Sequence, residues 1–144
     1  NVSMKSILKY LLKIRKNLKK KTIDKEKLII FQSCSRHPSE YIRAVVDRKT
    51  GKPKIRKDGK TQYTSQPIQA KIAQKMINDG KEFYVGQQIP YIITSTEGGL
   101  KGVHEEEYKN NYDFKYYWVN KVYSPVKRML EVAYKNFDWD KLDE

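Results

Sequence analysis

The chain has 144 residues, of which 38% are hydrophobic and 33% are charged, and its formal net charge is +13. These values predict one domain with a modest core, and they exclude a membrane-spanning protein because no apolar run approaches ~20 residues. The lone Cys34 excludes an internal disulfide bond and predicts a reducing compartment. We expect it to be a small, half-buried strand residue.

The positive charge is concentrated in the first two thirds of the chain. Residues 1–96 contain 22 basic and 7 acidic residues, whereas residues 97–144 contain 8 and 10. Such a division indicates a polyanionic partner for the basic part. A lysine-rich interaction domain without a nucleic-acid role is an alternative. The first residue is Asn1, which predicts a fragment, a processed piece or a truncated chain because complete chains normally begin with Met.

The first predicted elements are a helix, a strand and a loop. Residues 3–21 space their apolar side chains at i, i+3 and i+4, which predicts an amphipathic helix with Ser3 as its N-cap. The lysines on its other face are either solvated or in contact with phosphates. The apolar run 27–31 predicts a buried strand, and a polar loop follows at 35–41.

The middle of the chain predicts a flexible basic hairpin or loop and a second helix. Residues 47–62 hold seven Lys or Arg and an Asp-Gly turn signal, so they are either a tolerated surface insertion or an arm that contacts phosphates. Residues 65–79 predict an amphipathic helix. Ser65 is its candidate N-cap, Pro67 suits the first turn, and Gly80 suits the position after the helix.

The last predicted elements are a strand and a long helix. Within residues 80–95, Gly80 and Gly86 bracket a turn or a short strand, and the alternation of Ile89, Tyr91 and Ile93 predicts the strand that follows. Residues 112–134 predict a helix that Pro125 kinks or breaks, followed by a polar tail, 138–144. The aromatic residues of this helix suggest stacking of bases, but their helical spacing favours a role in the core. The predicted buried stripe is Tyr116, Val119, Val122, Val126, Met129, Leu130 and Ala133.

Known motifs for catalysis or metal binding are absent from the sequence. There is no phosphate-binding loop, no dinucleotide fingerprint and no paired Cys or His for zinc. His37 has no second His at ligand spacing, and His104 lies beside three glutamates that we expect to be solvated. Asp138 and Asp140 fall in the polar tail and are not expected to hold magnesium. The sequence therefore predicts a binding module with neither catalytic residues nor a metal site.

Three segments, taken in order, resemble the thumb of family B DNA polymerases. They are "DKEKLIIFQSCSRHPSEY" at 24–41, "AKIAQKMINDGKEFYVGQQIPYIIT" at 70–94 and "YDFKYYWVNKVYSPVKRML" at 112–130. The resemblance covers residues 3–137 and is closest to archaeal and viral members. The positions that match the family's motifs are Ala73, Met76, Gly80, Gly86, Ile89, Tyr91, Tyr112, Asp113, Tyr116, Tyr117, Pro125, Arg128, Met129 and Leu130.

The resemblance implies an α+β fold in which residues 1–144 form one thumb domain. The expected architecture is mainly helical, with a small antiparallel sheet and a long C-terminal helix kinked near Pro125. The basic stretch 47–62 looks like an insertion, and Gln69 stands where the family often has His. The tail 131–144 lacks the family's sliding-clamp motif, so no clamp contact is predicted.

The palm motifs of the family, with their metal-binding aspartates, are missing. The resemblance therefore implies a fragment, or the small subunit of a split polymerase, whose partner is a large chain with exonuclease and palm domains. No cofactor is expected on this chain, and the magnesium ions are expected on the partner's palm. The implied location is the nucleoid in the cytoplasm or a viral replication compartment.

The implied function is a sequence-independent grip on the primer–template duplex through its phosphates and minor groove. Lysines, small polar side chains and helix N-termini suit that task. The alternative is a free-standing basic nucleic-acid-binding protein of nucleoid or ribosomal type, without an enzymatic role. The residues expected to contact DNA are Arg36, Ser65, Gln66, Gln69, Lys71, Lys75 and Gly86.

Overall fold

The computed structural model describes residues 4–135 and residue 139, and it confirms an α+β fold with a small antiparallel sheet and a C-terminal helix. The longer elements in chain order are helix α1 (Met4–Lys19), helical turn α2 (Lys25–Leu28), strand β1 (Ile30–Ser33), helix α3 (Ile68–Asn78), strand β2 (Gln88–Ser95) and strand β3 (Lys101–His104). The C-terminal helix consists of α4 (Phe114–Tyr116), a π-helical segment (Tyr117–Tyr123) and α5 (Ser124–Leu130). Short 3-10 helices lie at Pro38–Tyr41 and Glu105–Glu107.

The chain divides into two compact units. Unit 1 comprises residues 1–29 and 92–144, and unit 2 comprises residues 30–91. Strand β2 is the centre of a sheet with the order β1-β2-β3. In unit 2 the antiparallel pairing of β1 with β2 runs from Ile30 opposite Tyr91 to Ser33 opposite Gln88. That residues 1–144 act as a single thumb domain stays a prediction.

The strand predicted at 27–31 begins later than expected. Residues Lys25–Leu28 form a helical turn after Asp24, and the strand occupies Ile30–Ser33. Asp and Lys residues favour such a turn over an extended strand, and this local preference competes with the apolar run that suggested a strand. Strand β2 begins at Gln88 and contains the predicted alternation of Ile89, Tyr91 and Ile93, and turns at Gly80 and Gly86 precede it.

Helix α1 matches the predicted helix closely, and it begins within the described residues at Met4. Ser3, the predicted N-cap, lies outside them. Leu11 and Leu18 are buried, and Lys16 and Lys19 occupy the last turn, where cations face the negative end of the helix dipole. The apolar stripe is narrower than the sequence suggests, since Leu12 is 45% exposed.

The C-terminal helix differs from the prediction in both length and periodicity. It begins at Phe114, with Asp113 as N-cap accepting a hydrogen bond from the Tyr116 N–H, and it ends at Leu130 instead of residue 134. Its middle is π-helical, as shown by the bond from the Ser124 N–H to the Val119 carbonyl, five residues earlier. This segment ends just before Pro125, which cannot donate a backbone hydrogen bond.

The π-helical segment changes which side chains are buried. Tyr117, Trp118 and Tyr123 are buried, whereas the predicted core residue Met129 is 79% exposed. A π-turn contains more residues than an α-turn. The face predicted from a period of 3.6 residues therefore no longer coincides with the face that is buried after the π-helical segment. The buried aromatic rings pack edge to face, as Tyr112 and Tyr117 do at 5.7 Å between centroids. The stripe predicted at Tyr116 to Ala133 is therefore wrong in part.

The end of α1 is held by the aromatic residue that precedes the C-terminal helix. The buried Tyr112 hydroxyl donates a hydrogen bond to the Leu18 carbonyl. The Lys21 ammonium lies 4.3 Å from the Tyr112 ring centroid and donates to the Tyr112 carbonyl. These contacts satisfy a carbonyl at the end of α1 and place a cation over an aromatic face, which is favourable.

We predict that three tyrosines of unit 1 ionise at a higher pH than free tyrosine, and that their ionisation accompanies unfolding of the chain at alkaline pH. Burial raises the pKa of Tyr108, Tyr112 and Tyr116 above the ordinary value of about 10. The stability that their neutral forms provide is fully present below about pH 10 and is lost as pH rises through the raised pKa values. Burial lowers the pKa of Lys21, so its contribution changes in the opposite direction.

The measurement is an ultraviolet titration of phenolate absorbance with circular dichroism recorded in parallel. We expect part of the absorbance change to occur above about pH 10, in one step with loss of helical signal. The chain unfolded in urea is the control and should titrate in a single step near pH 10. Identical titration curves for the folded and unfolded chain would contradict the prediction.

Candidate nucleic-acid interface

All seven residues predicted to contact DNA lie in unit 2. They occupy three segments: the loop 34–41, the residues 65–75 around the start of α3, and the turn at Gly86. Unit 2 contains twelve Lys or Arg and five Asp or Glu. Every predicted contact therefore belongs to a unit with a net positive charge.

The loop 34–41 is an ordered structure built by its own side chains. Its 3-10 helix begins after His37, whose Nδ1 accepts a hydrogen bond from the Ser39 N–H at 3.2 Å. The Tyr41 hydroxyl accepts a bond from the Ser35 N–H at 3.0 Å. The half-buried Arg36 side chain places its guanidinium carbon 5.5 Å from the Tyr41 ring centroid. Arg36 therefore has a defined position on this loop.

The loop 34–41 also accepts hydrogen bonds from two other residues that are predicted to contact DNA. Gln66 donates its side-chain N–H to the Pro38 carbonyl at 2.7 Å, and the Gly86 N–H donates to the Cys34 carbonyl at 3.0 Å. Arg36, Gln66 and Gly86 are thus brought together around one loop. Because the Gly86 N–H is already used, it is not available to bind a phosphate.

Helix α3 presents two predicted lysines on its exposed face. Ala70, Ile72, Ala73 and Met76 form its buried face, while Lys71 and Lys75 are exposed one turn apart. The Lys75 ammonium pairs with the Asp79 carboxylate at 3.1 Å. An exposed pair of this kind contributes only ~0–1 kcal/mol, so Lys75 can exchange this partner for a phosphate at little cost.

The start of α3 is not capped as predicted. Ser65 is exposed and lies outside the helix, and the N-cap is Pro67, which makes no side-chain cap bond. Proline has a fixed φ near −65° and no side-chain acceptor, so it sets the direction of the chain without satisfying an N–H. Gln69 lies half-buried in the first turn. At the other end Gly80 follows the C-cap Asp79, as predicted.

The residues that organise the loop were not among the predicted contacts. Tyr41 holds the Ser35 N–H and lies under Arg36, and the buried Cys34 supplies the carbonyl that Gly86 contacts. Burial raises the pKa of the Cys34 thiol, which makes it less reactive. The sequence Ser-Cys-Ser-Arg-His-Pro does not predict these contacts, because they depend on a turn that forms only in the folded chain.

No group suited to holding a metal ion occurs among the described residues, that is, no cluster of three or more His, Cys, Asp or Glu. Both histidines cap 3-10 helices, with His104 Nδ1 accepting from the Glu106 N–H at 3.2 Å. Asp138 and Asp140 lie outside the described residues. Over residues 4–135 no helix is long and apolar enough to cross a membrane.

The chain is similar to part of a known DNA polymerase. The chain is 30% identical over 137 residues to a DNA polymerase of Methanocaldococcus jannaschii. The alignment covers 91% of this chain and 7% of that polymerase. No family model matches the chain. Nearly the whole chain is therefore similar to one short part of a much longer DNA polymerase.

Proposed function

We propose that this chain is the thumb part of a family B DNA polymerase. It grips the primer–template duplex without regard to sequence, while a partner chain carries the catalytic palm with its two magnesium ions. The observation that carries the proposal is the similarity of 91% of the chain to a DNA polymerase. The positive charge of unit 2 supports it, since a grip on any sequence must rely on phosphates and the minor groove.

The residues of unit 2 offer complementary kinds of contact. Arg36 provides a planar guanidinium that can bind a phosphate through two parallel hydrogen bonds. Lys71 and Lys75 provide mobile point charges along one face of α3. Ser65, Gln66 and Gln69 add polar groups near the start of the helix, where the positive end of its dipole favours anions.

The chemistry of nucleotide addition belongs to the partner in this proposal. The magnesium ions stabilise the attacking and leaving oxygens on the palm. This chain contributes position and residence time on the duplex, so it is part of a nucleotidyltransferase without containing a catalytic residue. Its expected location is where DNA is replicated, at the nucleoid or in a viral replication compartment.

The test is reconstitution with the large polymerase chain from the same source. We expect the two chains to co-purify, and primer extension to require both. The variant Lys71→Gln/Lys75→Gln should still form the complex but should give shorter products per binding event. The matched control is Lys101→Gln/Lys109→Gln, which removes the same charge from exposed positions of unit 1. Full processive extension by the large chain alone, or an active monomer of this chain, would overturn the proposal.

The alternative of a free-standing nucleic-acid-binding protein is favoured by one observation. Residues 47–62 carry seven Lys or Arg in a segment whose backbone pairs with itself through isolated bridges. Reconstitution separates the two functions. A free-standing protein would not co-purify with a polymerase chain and would leave its extension products unchanged.

A further inference from the structure

Residues 44–63, here called the basic arm, form a forked structure with two turns. Isolated antiparallel bridges join Ala44 to Tyr63, Val46 to Pro53 and Ile55 to Thr61. The chain therefore runs through three paired segments, with one turn at 47–52 and the other at 56–60. The three segments meet where the Val45 N–H donates to the Gln62 carbonyl at 2.8 Å and the Lys54 N–H donates to the Val45 carbonyl at 2.7 Å.

The first turn uses its own acidic residue as a backbone acceptor. The Asp47 carboxylate accepts a hydrogen bond from the Lys49 N–H at 2.8 Å, and the Gly51 N–H donates to the Asp47 carbonyl at 2.8 Å. Gly51 has a φ of +69°, which side chains rarely tolerate. The turn thereby presents Arg48, Lys49 and Lys52 on a fixed backbone.

The second turn repeats this design. The Asp58 carboxylate accepts from the Lys60 N–H at 3.0 Å, and Gly59 has a φ of +82°. The Arg56 N–H donates to the Lys60 carbonyl at 2.8 Å. This turn presents Arg56, Lys57 and Lys60. The Arg56 guanidinium lies 3.4 Å from the Asp58 carboxylate.

The base of the arm is fixed to the loop described above. The Thr64 hydroxyl donates to the Tyr41 carbonyl at 2.6 Å and accepts from the Arg43 N–H at 2.9 Å. The arm therefore starts beside Tyr41, the residue that positions Arg36. An arm with a paired backbone and a fixed base loses less conformational entropy on binding than a flexible loop would.

The charges of the arm have no adequate partners within the described chain. The arm contains seven basic residues but only two acidic ones, Asp47 and Asp58, whose carboxylates accept backbone hydrogen bonds in the turns, and every residue from 48 to 60 is exposed. Among the described residues no carboxylate forms an ion pair with Arg48, Lys49, Lys52, Lys54, Lys57 or Lys60. An excess of like charge in one short segment destabilises its folded form through repulsion, so the composition of the arm favours an external anion.

We propose that the two turns of the basic arm bind the phosphates of a nucleic-acid duplex at two separate points. The chain that connects the turns, residues 52–56, is at most about 13 Å long at ~3.3 Å per residue. A DNA duplex carries one charge per ~1.7 Å of axis, so a span of this length can face up to about eight phosphate charges. This dense and regular anion favours a duplex over an acidic protein surface. The inference rests on the proposed function and adds a contact site to it.

The experiment measures the affinity for a fluorescent DNA duplex across a salt series. One variant neutralises the first turn (Arg48→Gln, Lys49→Gln, Lys52→Gln) and another the second (Arg56→Gln, Lys57→Gln, Lys60→Gln). The matched control removes three exposed charges from unit 1 (Lys101→Gln, Lys109→Gln, Lys115→Gln). The slope of log K against log salt is negative, and each lost phosphate contact makes it shallower by about 0.9. Each turn variant should therefore reduce the magnitude of the slope by about 1 to 3.

The outcomes separate this proposal from the proposed function. If the unmodified chain binds with a steep slope and both turn variants match the control, the arm proposal is overturned while the grip by unit 2 stands. If the unmodified chain does not bind, the proposed function fails with it. The variant Lys49→Arg/Lys52→Arg keeps the charge and should retain the full slope. Circular dichroism of each variant establishes that the slope changes are not due to unfolding.

Discussion

Replacing Trp118 with alanine is expected to destabilise the protein by about 3–5 kcal/mol, the usual loss when a large buried aromatic side chain is truncated. Trp118 is 2% exposed and is the largest of the fully buried side chains among the described residues. The centroids of the Trp118 and Tyr123 rings are 6.0 Å apart. The guanidinium carbon of Arg15, in α1, lies 6.0 Å from the centroid of the Trp118 ring. The substitution therefore removes packing between α1 and the π-helical segment.

The measurement is urea unfolding followed by circular dichroism. Domains of this size are stable by only ~5–15 kcal/mol, so the loss should shift the midpoint far toward lower urea. Met129→Ala is the control, because the sequence predicts Met129 in the core whereas the structure leaves it 79% exposed. We expect it to change stability by less than ~0.5 kcal/mol. Equal losses for both variants would contradict the π-helical arrangement.

Replacing Tyr117 with phenylalanine is expected to cost about 1–3 kcal/mol, although only one oxygen is removed. The buried Tyr117 hydroxyl donates to the Leu28 carbonyl at 2.8 Å and accepts from the Ile93 N–H at 3.0 Å. It thereby connects the end of α2, strand β2 and the C-terminal helix within unit 1. Removal leaves a buried donor and a buried acceptor without this partner.

Hydrogen exchange provides a local measurement of the same effect. The Ile93 N–H should exchange faster in Tyr117→Phe than in the unmodified chain, because its protection depends on the hydroxyl. Tyr10→Phe is the matched control, since Tyr10 is 66% exposed and its substitution should leave both stability and exchange unchanged. Unchanged stability together with unchanged exchange at Ile93 in Tyr117→Phe would show that the hydroxyl makes no such bridge.

The parts of the fold that the sequence predicted well are those with regular helical periodicity. Helix α1 and helix α3 each bury an apolar stripe at the 3.6-residue period, and their observed bounds lie within three residues of the predicted ones. The C-terminal helix was predicted less well because Pro125 follows a π-helical segment that shifts the period. Periodicity therefore located this helix without identifying its buried residues.

The candidate site was predictable in its residue types but not in its geometry. Basic and polar residues at Arg36, Lys71 and Lys75 could be read from the sequence, since charge is visible there. That the loop 34–41 joins Gln66 and Gly86 could not, because those bonds link residues far apart in the chain. Ser65 was assigned as a cap by local preference, and Pro67 takes that position because its fixed φ sets the helix start.

The most direct test of the central claim is the salt dependence of binding to primer–template duplexes of several unrelated sequences. Fluorescence anisotropy of the unmodified chain gives the affinity at each salt concentration. A sequence-independent grip through phosphates predicts the same affinity for every duplex, and a decrease of about 10³-fold or more between 50 and 200 mM salt if six or more phosphates are contacted. An affinity that does not change with salt, or that differs strongly between sequences, would contradict the claim.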